Sequence, residues 1–190
     1  PIVRLMDHDA STGTPDDDVD RLVTAWRRER PDLDVGPLEV FSRVSRLARH
    51  LDLARRAAFI RHDLEGWEFD VLAALRRAGP PYALSPGRLV TQTLVTSGTM
   101  TNRIDRLASK GLVERRPDPH DRRSVQVRLT PRGRARVDAA MADLVAAERE
   151  LLADLTPEEQ GRLAGLLHRL LVPLDADVVP SRRPAAPAGG

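Results

Sequence analysis

Apolar positions recur at helical spacing along most of the chain and switch to strict alternation in one place. Val19, Leu22, Val23 and Trp26 share a face behind the acids Asp16, Asp17 and Asp18, which predicts a helix over about 15–30, ended by Pro31. Pro37 opens a second helix to about Arg61, striped by Leu38, Phe41, Val44, Leu47 or Ala48, and Leu51. A third spans Trp67 to Arg77 and stops ahead of Gly79, Pro80 and Pro81. Ser85 and Pro86 combine a hydroxyl cap with a proline at the first helical position, so a short helix follows to about Thr93. Thr96 or Ser97 opens the next, which runs to Lys110 and ends at Gly111, a residue free to take a left-handed cap. Met100, Ile104 and Leu107 form its buried stripe.

Beyond Gly111 the period falls to two. Leu112-Val113-Glu114-Arg115 and Val125-Gln126-Val127-Arg128-Leu129 alternate as strands around the turn-rich loop from Pro117 to Arg123, and Tyr82-Ala83-Leu84 adds a short third strand. Thr130-Pro131 starts a long helix to about Asp154. Thr156 and Glu159 form a capping box for a last helix to Val172, halted by Pro173. The fold class is therefore mainly α with a small β-hairpin wing. Residues 66–129 make a winged helix-turn-helix lobe, and 15–31 an extra N-terminal helix. Residues 37–65 and 130–173 carry more apolar surface than a small winged lobe can cover, Leu163, Leu166, Leu167, Leu170 and Leu171 foremost, and are assigned to helical dimerisation. Residues 1–14 and 174–190 are expected to be disordered.

Charge sharpens this picture. Between Ser85 and Arg136 stand twelve Lys or Arg residues against four acids, a surplus of +8 in a chain whose total is +2. A positive field confined to one segment is the footprint of a polyanion, here double-stranded DNA. A helix-turn-helix lays its second helix in the major groove, which directs Ser97, Thr99, Thr101, Asn102 and Arg106 at base edges. The hairpin tip carries Arg122 and Arg123, suited to the narrow minor groove, with Asp121 to hold one of them.

Composition narrows the alternatives. There is no cysteine, hence no disulfide, thiolate metal site or thiol nucleophile. The five histidines have no metal-ligand spacing, and nucleophile-elbow, P-loop and dinucleotide motifs are absent, so neither an enzyme nor a cofactor is expected. No run is apolar enough for a membrane span, and a cytoplasmic location is expected. Lys110 is the only lysine.

The stretches TSGTMTNRIDRL, GLVERRPDPHDRRSVQVRLT and the LTPRGR that follows resemble the winged-helix core of the MarR family of bacterial transcription regulators, over about Leu38 to Val172. The resemblance implies a homodimer that represses genes beside a palindromic operator. It also implies a ligand site, because the urate-responsive subgroup carries an extra N-terminal helix with a Trp, an Asp in W-x-F-D-V-L, an Arg in TNRIDRL and an Arg on the first wing strand. Trp26, Asp70, Arg103 and Arg115 match these positions. Read singly, Trp26 also fits a core position, Asp70 a surface acid, Arg103 a phosphate contact and Arg115 a solvated strand residue. Urate is a flat anion suited to an indole face and an arginine fork. The expected effector is a small anion, urate first. Tricarboxylates are an alternative ligand, and a ligand-free architectural DNA binder is the alternative of another class. On the urate reading, Asp70 gives up an arginine contact and Arg103 carries the shift to the recognition helix.

Overall fold

The computed structural model describes residues 16–118 and 124–178. Among these residues, seven helices and three strands run in the order α1 (Asp18–Glu29), α2 (Gly36–Ile60), α3 (Gly66–Arg77), β1 (Ala83–Leu84), α4 (Pro86–Thr93), α5 (Ser97–Ser109), β2 (Val113–Pro117), β3 (Val125–Leu129), α6 (Pro131–Leu151) and α7 (Pro157–Val178). The expectations for residues 1–14, for Asp121, Arg122 and Arg123, and for the far end of the tail fall outside the described residues. The chain divides into two compact units, residues 1–54 and 55–190, so that α2 contributes to both.

In the first unit, Asp17 caps α1 by accepting from the amides of Val19 at 2.7 Å and Asp20 at 2.9 Å, while the Asp20 carboxylate accepts from the Asp17 amide at 2.9 Å. Val19, Val23 and Val35 form a small buried cluster with Leu38 against it. Arg43 on α2 reaches back to both caps, with Nε 2.9 Å from Asp17 and Nη2 2.6 Å from Asp20.

The second unit holds the main core. Leu72 and Leu75 of α3, Leu84, Leu89, Met100, Ile104, Leu107, Leu112 and Val127 are all fully or almost fully buried in it. Strand order is β1-β3-β2, antiparallel throughout. Opposed side chains of an antiparallel pair share a face, so the register Leu84↔Val127, Val127↔Arg115 and Leu129↔Val113 puts these residues on the inner face. Arg116, Gln126, Arg128 and Glu114 take the outer one.

Gly133 explains the LTPRG run. Thr130 donates from its amide to the Leu112 carbonyl at 3.1 Å, and its hydroxyl both reaches the Gly111 carbonyl at 2.8 Å and accepts from the Gly133 amide at 3.0 Å. These bonds draw the first turn of α6 onto β2 so closely that a Cβ at Gly133 would lie 1.9 Å from the Leu112 oxygen. Only glycine fits there.

One expectation is corrected. α7 does not stop at Pro173 but runs through it to Val178, taking in the first residues assigned to a disordered tail. Proline already has a helical φ and removes a single backbone bond. The residues around it in the described part are exposed, so no packed neighbour opposes the local adjustment that the ring requires.

Two outcomes follow for stability. Gly133→Ala forces backbone apart and should lower stability by ~1–3 kcal/mol in a denaturant titration. For Asp17, the Asp20 amide is the largest influence, and Arg43 and the Val19 amide add to it, outweighing desolvation to hold the carboxyl down at about 2 against an ordinary 3.8. A depressed carboxyl stabilises above its unfolded value and loses that contribution as pH falls through the folded one. The stability gap between the wild type and Asp17→Asn, followed by fluorescence and circular dichroism, should be constant at neutral pH and close between the two values.

Candidate nucleic-acid interface

α4 and α5 form the helix-turn-helix. Ser85 caps α4, accepting from the Arg88 amide at 3.4 Å, and Leu94 takes a left-handed conformation (φ 52°) that turns the chain between the helices. Thr96 caps α5, its hydroxyl accepting from the Thr99 amide at 3.3 Å. Met100, Ile104 and Leu107 are buried beneath α5, which leaves Ser97, Thr99, Thr101, Asn102, Asp105 and Arg106 exposed on its other side. The Thr101 hydroxyl donates to the Ser97 carbonyl at 3.1 Å, whereas Asn102 keeps its amide without a hydrogen bond among the described residues.

The beginning of α3 anchors α5. Glu68 is the one buried charged residue among the described residues, fully shielded from solvent. Its Oε2 accepts from the Glu65 amide at 3.0 Å and from Lys110 Nζ at 3.0 Å. Oε1 lies 2.9 Å from the same Nζ but outside good hydrogen-bond angles, so it relies on charge. Lys110 is the C-cap of α5, and the pair therefore ties the end of the recognition helix to the start of α3.

One turn back along α5, Arg106 Nη2 lies 2.7 Å from Glu65 Oε1, and its guanidinium sits 4.8 Å from the centre of the Trp67 ring. Arg103 stacks on the same indole at 5.3 Å. The Trp67 Nε1–H donates to Glu65 Oε2 at 2.7 Å. That bond is the largest influence holding the Glu65 carboxyl below its ordinary value; desolvation opposes it, and the charges of Arg106 and Lys110 add to it.

On its other flank, α5 meets the wing. Asp105 accepts from Arg115 Nη1 at 2.6 Å, because the strand register aims Arg115 along the inner face. Asp105 and Arg106 are thus neighbours in sequence but reach toward the wing and toward α3 respectively. Arg116 pairs with Glu114 at 2.9 Å, while Arg88, Arg128 and Arg132 have no ion pair among the described residues. Ser85, Arg88, Arg116, Asp118, Gln126 and Arg128 line a groove of about 580 Å³ beside the outer face of the wing sheet.

The four residues expected to hold a ligand are placed as follows. Trp26 is on the exposed side of α1 in the first unit. In the second unit, Asp70 is one turn beyond Trp67 on α3, Arg103 lies over Trp67, and Arg115 is held by Asp105. The arginine contact expected of Asp70 is not made among the described residues. Asp70 is exposed, and the nearby arginines have taken Trp67, Glu65 and Asp105 instead. Glu65, Trp67 and Glu68 hold residues of α5 and its cap, contacts that sequence reasoning missed. Their one legible signal is the acid spacing of three in E-G-W-E, the pattern of a helix start.

A capped helix over a buried stripe, preceded by a short helix and followed by an antiparallel hairpin with free arginines, defines a winged helix-turn-helix DNA-binding protein. The family description "MarR family" matches residues 62–124. The HTH-type transcriptional regulator PecS of Dickeya dadantii (strain 3937) is 40% identical over 153 residues, which cover 80% of this chain and 92% of PecS. Among solved structures, the reduced form of MarR from Escherichia coli is 31% identical with a TM-score of 0.58, over 73% of this chain and 97% of that one. BpsR of Bordetella bronchiseptica, whose DNA binding is regulated by 6-hydroxynicotinic acid, is 31% identical with a TM-score of 0.53, over 68% and 93%. The chain belongs to the MarR family of DNA-binding transcription regulators.

Lys110→Met should strand the Glu68 carboxylate in the core and reduce stability by roughly 3 kcal/mol in urea unfolding. Adding Glu68→Gln to that variant should recover part of the loss, since no buried charge then remains. An equally unstable double variant would remove the pair from its anchoring role.

Proposed function

We propose that the protein is a homodimeric repressor that binds a pseudo-palindromic operator and is released by a small planar anion, urate foremost. Ser97, Thr99, Thr101 and Asn102 face the major groove, while Arg122 and Arg123 serve the minor groove. The free guanidinium groups of Arg88 and Arg128 give phosphates a partner. Paired recognition helices then sit about one turn of duplex apart, ~34 Å.

Dimerisation rests on α7, which exposes Leu166, Leu170, Leu171, Val172 and Leu174. An unpartnered stripe of this kind suits a second copy. Leu170→Glu should yield monomers in light scattering and lose operator binding together with them. A dimer that persisted would move the interface elsewhere.

One observation carries the ligand reading. Both arginines assigned to the effector are already coupled to α5: Arg115 through its 2.6 Å contact with Asp105, and Arg103 as part of the helix itself, stacked on Trp67. An anion that draws on either guanidinium acts directly on the element that reads DNA. Trp26 and Asp70 complete the set, the first as a stacking face and the second as a carboxylate repelled by the ligand. A coupling of ~1–3 kcal/mol would weaken DNA binding about 5- to 150-fold. Titrating urate, and separately citrate, into the protein–operator complex tests this, with Arg115→Ala expected to abolish the response. Unchanged affinity at saturating concentrations of both anions would leave a ligand-free DNA binder.

A further inference from the structure

We propose that Glu65 and Trp67 withhold the Arg106 guanidinium from DNA, so that the recognition helix meets the duplex through neutral side chains and the protein's discrimination between sequences depends on that restraint. The proposal rests on the DNA-binding reading above and adds two positioning residues to it.

The restraint is built on both carboxylate oxygens. Glu65 Oε1 takes Arg106 at 2.7 Å and Oε2 takes the Trp67 indole N–H at 2.7 Å, so the carboxylate cannot swing away without giving up one of them. The indole ring then supplies a face for Arg106 at 4.8 Å and for Arg103 at 5.3 Å. The segment that presents Glu65 and Trp67 is itself fixed, because the Glu65 amide donates to the buried Glu68. Three of the four charges on α5 and its cap are consequently paired within the protein, Asp105 with Arg115, Arg106 with Glu65 and Lys110 with Glu68, while Arg103 is stacked on the Trp67 indole. What remains outward is hydroxyl and amide chemistry on Ser97, Thr99, Thr101 and Asn102.

That division has a consequence for specificity. A free guanidinium is attracted to any phosphate whatever the sequence. Hydroxyl and amide groups gain only where a base edge offers the matching donor or acceptor, as adenine does for the bidentate amide of Asn102. Holding Arg106 back therefore lowers binding to arbitrary DNA more than binding to the correct site.

The test compares the wild type with Glu65→Gln, which keeps shape and loses charge. Fluorescence anisotropy is recorded across a salt series on two duplexes: one selected from a random pool by the wild-type protein, and one of shuffled sequence. Each added phosphate contact steepens the dependence of log affinity on log salt by ~0.9, so a tenfold drop in salt should widen the ratio of variant to wild-type affinity ~8-fold for each released arginine. The gain should appear on the shuffled duplex, and the preference for the selected duplex should shrink. Trp67→Phe, which removes the indole N–H but keeps an aromatic face, should change both quantities in the same direction and by less. Glu65→Gln combined with Arg106→Ala should return the salt slope to that of the wild type. Identical slopes for the wild type and Glu65→Gln, with both binding DNA, would overturn the restraint alone. A wild-type protein that binds neither duplex at low salt would overturn the DNA-binding reading and the restraint with it.

Discussion

The recognition helix keeps its attitude because one carboxylate has been taken out of water. Glu68 is completely buried, and burial of an unpaired carboxylate is too costly to persist, so the structure must bring it a cation. Lys110 supplies that charge from the last residue of the helix-turn-helix, and the same carboxylate also holds the amide that starts α3. The choice of residue is informative in a chain whose other basic side chains are all arginine. An arginine fork brings five donors, and in this position several of them would be driven into the core without acceptors. A compact ammonium on a flexible stem can lie 2.9 Å and 3.0 Å from the two oxygens while part of its side chain stays in solvent. The other ion pairs of α5 are made by exposed groups, and its apolar stripe of Met100, Ile104 and Leu107 is buried in the core.

From that anchor the electrostatics of the lobe can be followed outward. The surplus of +8 between Ser85 and Arg136 is a count of residues, not of charges available to DNA. Lys110 and Arg106 are paired with acids from the loop and helix that precede the segment, and Arg115 and Arg116 with acids inside it. Cations without an ion pair among the described residues include Arg88 on α4, Arg128 on the outer face of β3 and Arg132 at the start of α6. Phosphate attraction and base reading are thus assigned to different elements. The first falls to α4 and the wing, the second to a helix on which three of the four charges, the cap included, are ion-paired.

How much of this the sequence discloses depends on the range of the interaction. Helix starts were legible because Ser85, Thr96, Thr130 and Thr156 act on amides three residues away, and each lies where expected. The hairpin was legible through its period, and the buried stripe Met100, Ile104 and Leu107 through its spacing. The tie between Glu65 and Arg106 spans 41 residues and that between Glu68 and Lys110 spans 42, so no local pattern contains them. They exist only because the fold brings the start of α3 within side-chain reach of α5. The same limit explains Asp70. The resemblance implied an arginine partner for Asp70, but Arg103 stacks on Trp67, Arg106 and Arg115 pair with Glu65 and Asp105, and Asp70 faces solvent. Pro173 shows the converse case, in which a strong local signal for stopping is overridden and the helix continues through an exposed proline.

The two flanks of α5 are unequal, and this bears on how an anion could act. Toward α3 the helix is held by a buried ion pair, an exposed one and two guanidinium–indole contacts. Toward the wing the charged brace is the exposed pair of Asp105 and Arg115. Under the proposed response, an effector that recruits Arg115 removes the weaker brace and leaves the stronger intact. The helix would then tilt about its attachment to α3, with the lobe still folded. A tilt of this kind moves Asn102 and the threonines relative to the bases while Arg88 and the outer wing face stay near the phosphates. Loss of sequence-specific affinity would then exceed loss of general affinity. That pattern distinguishes a tilt from unfolding of the wing, which would remove both together.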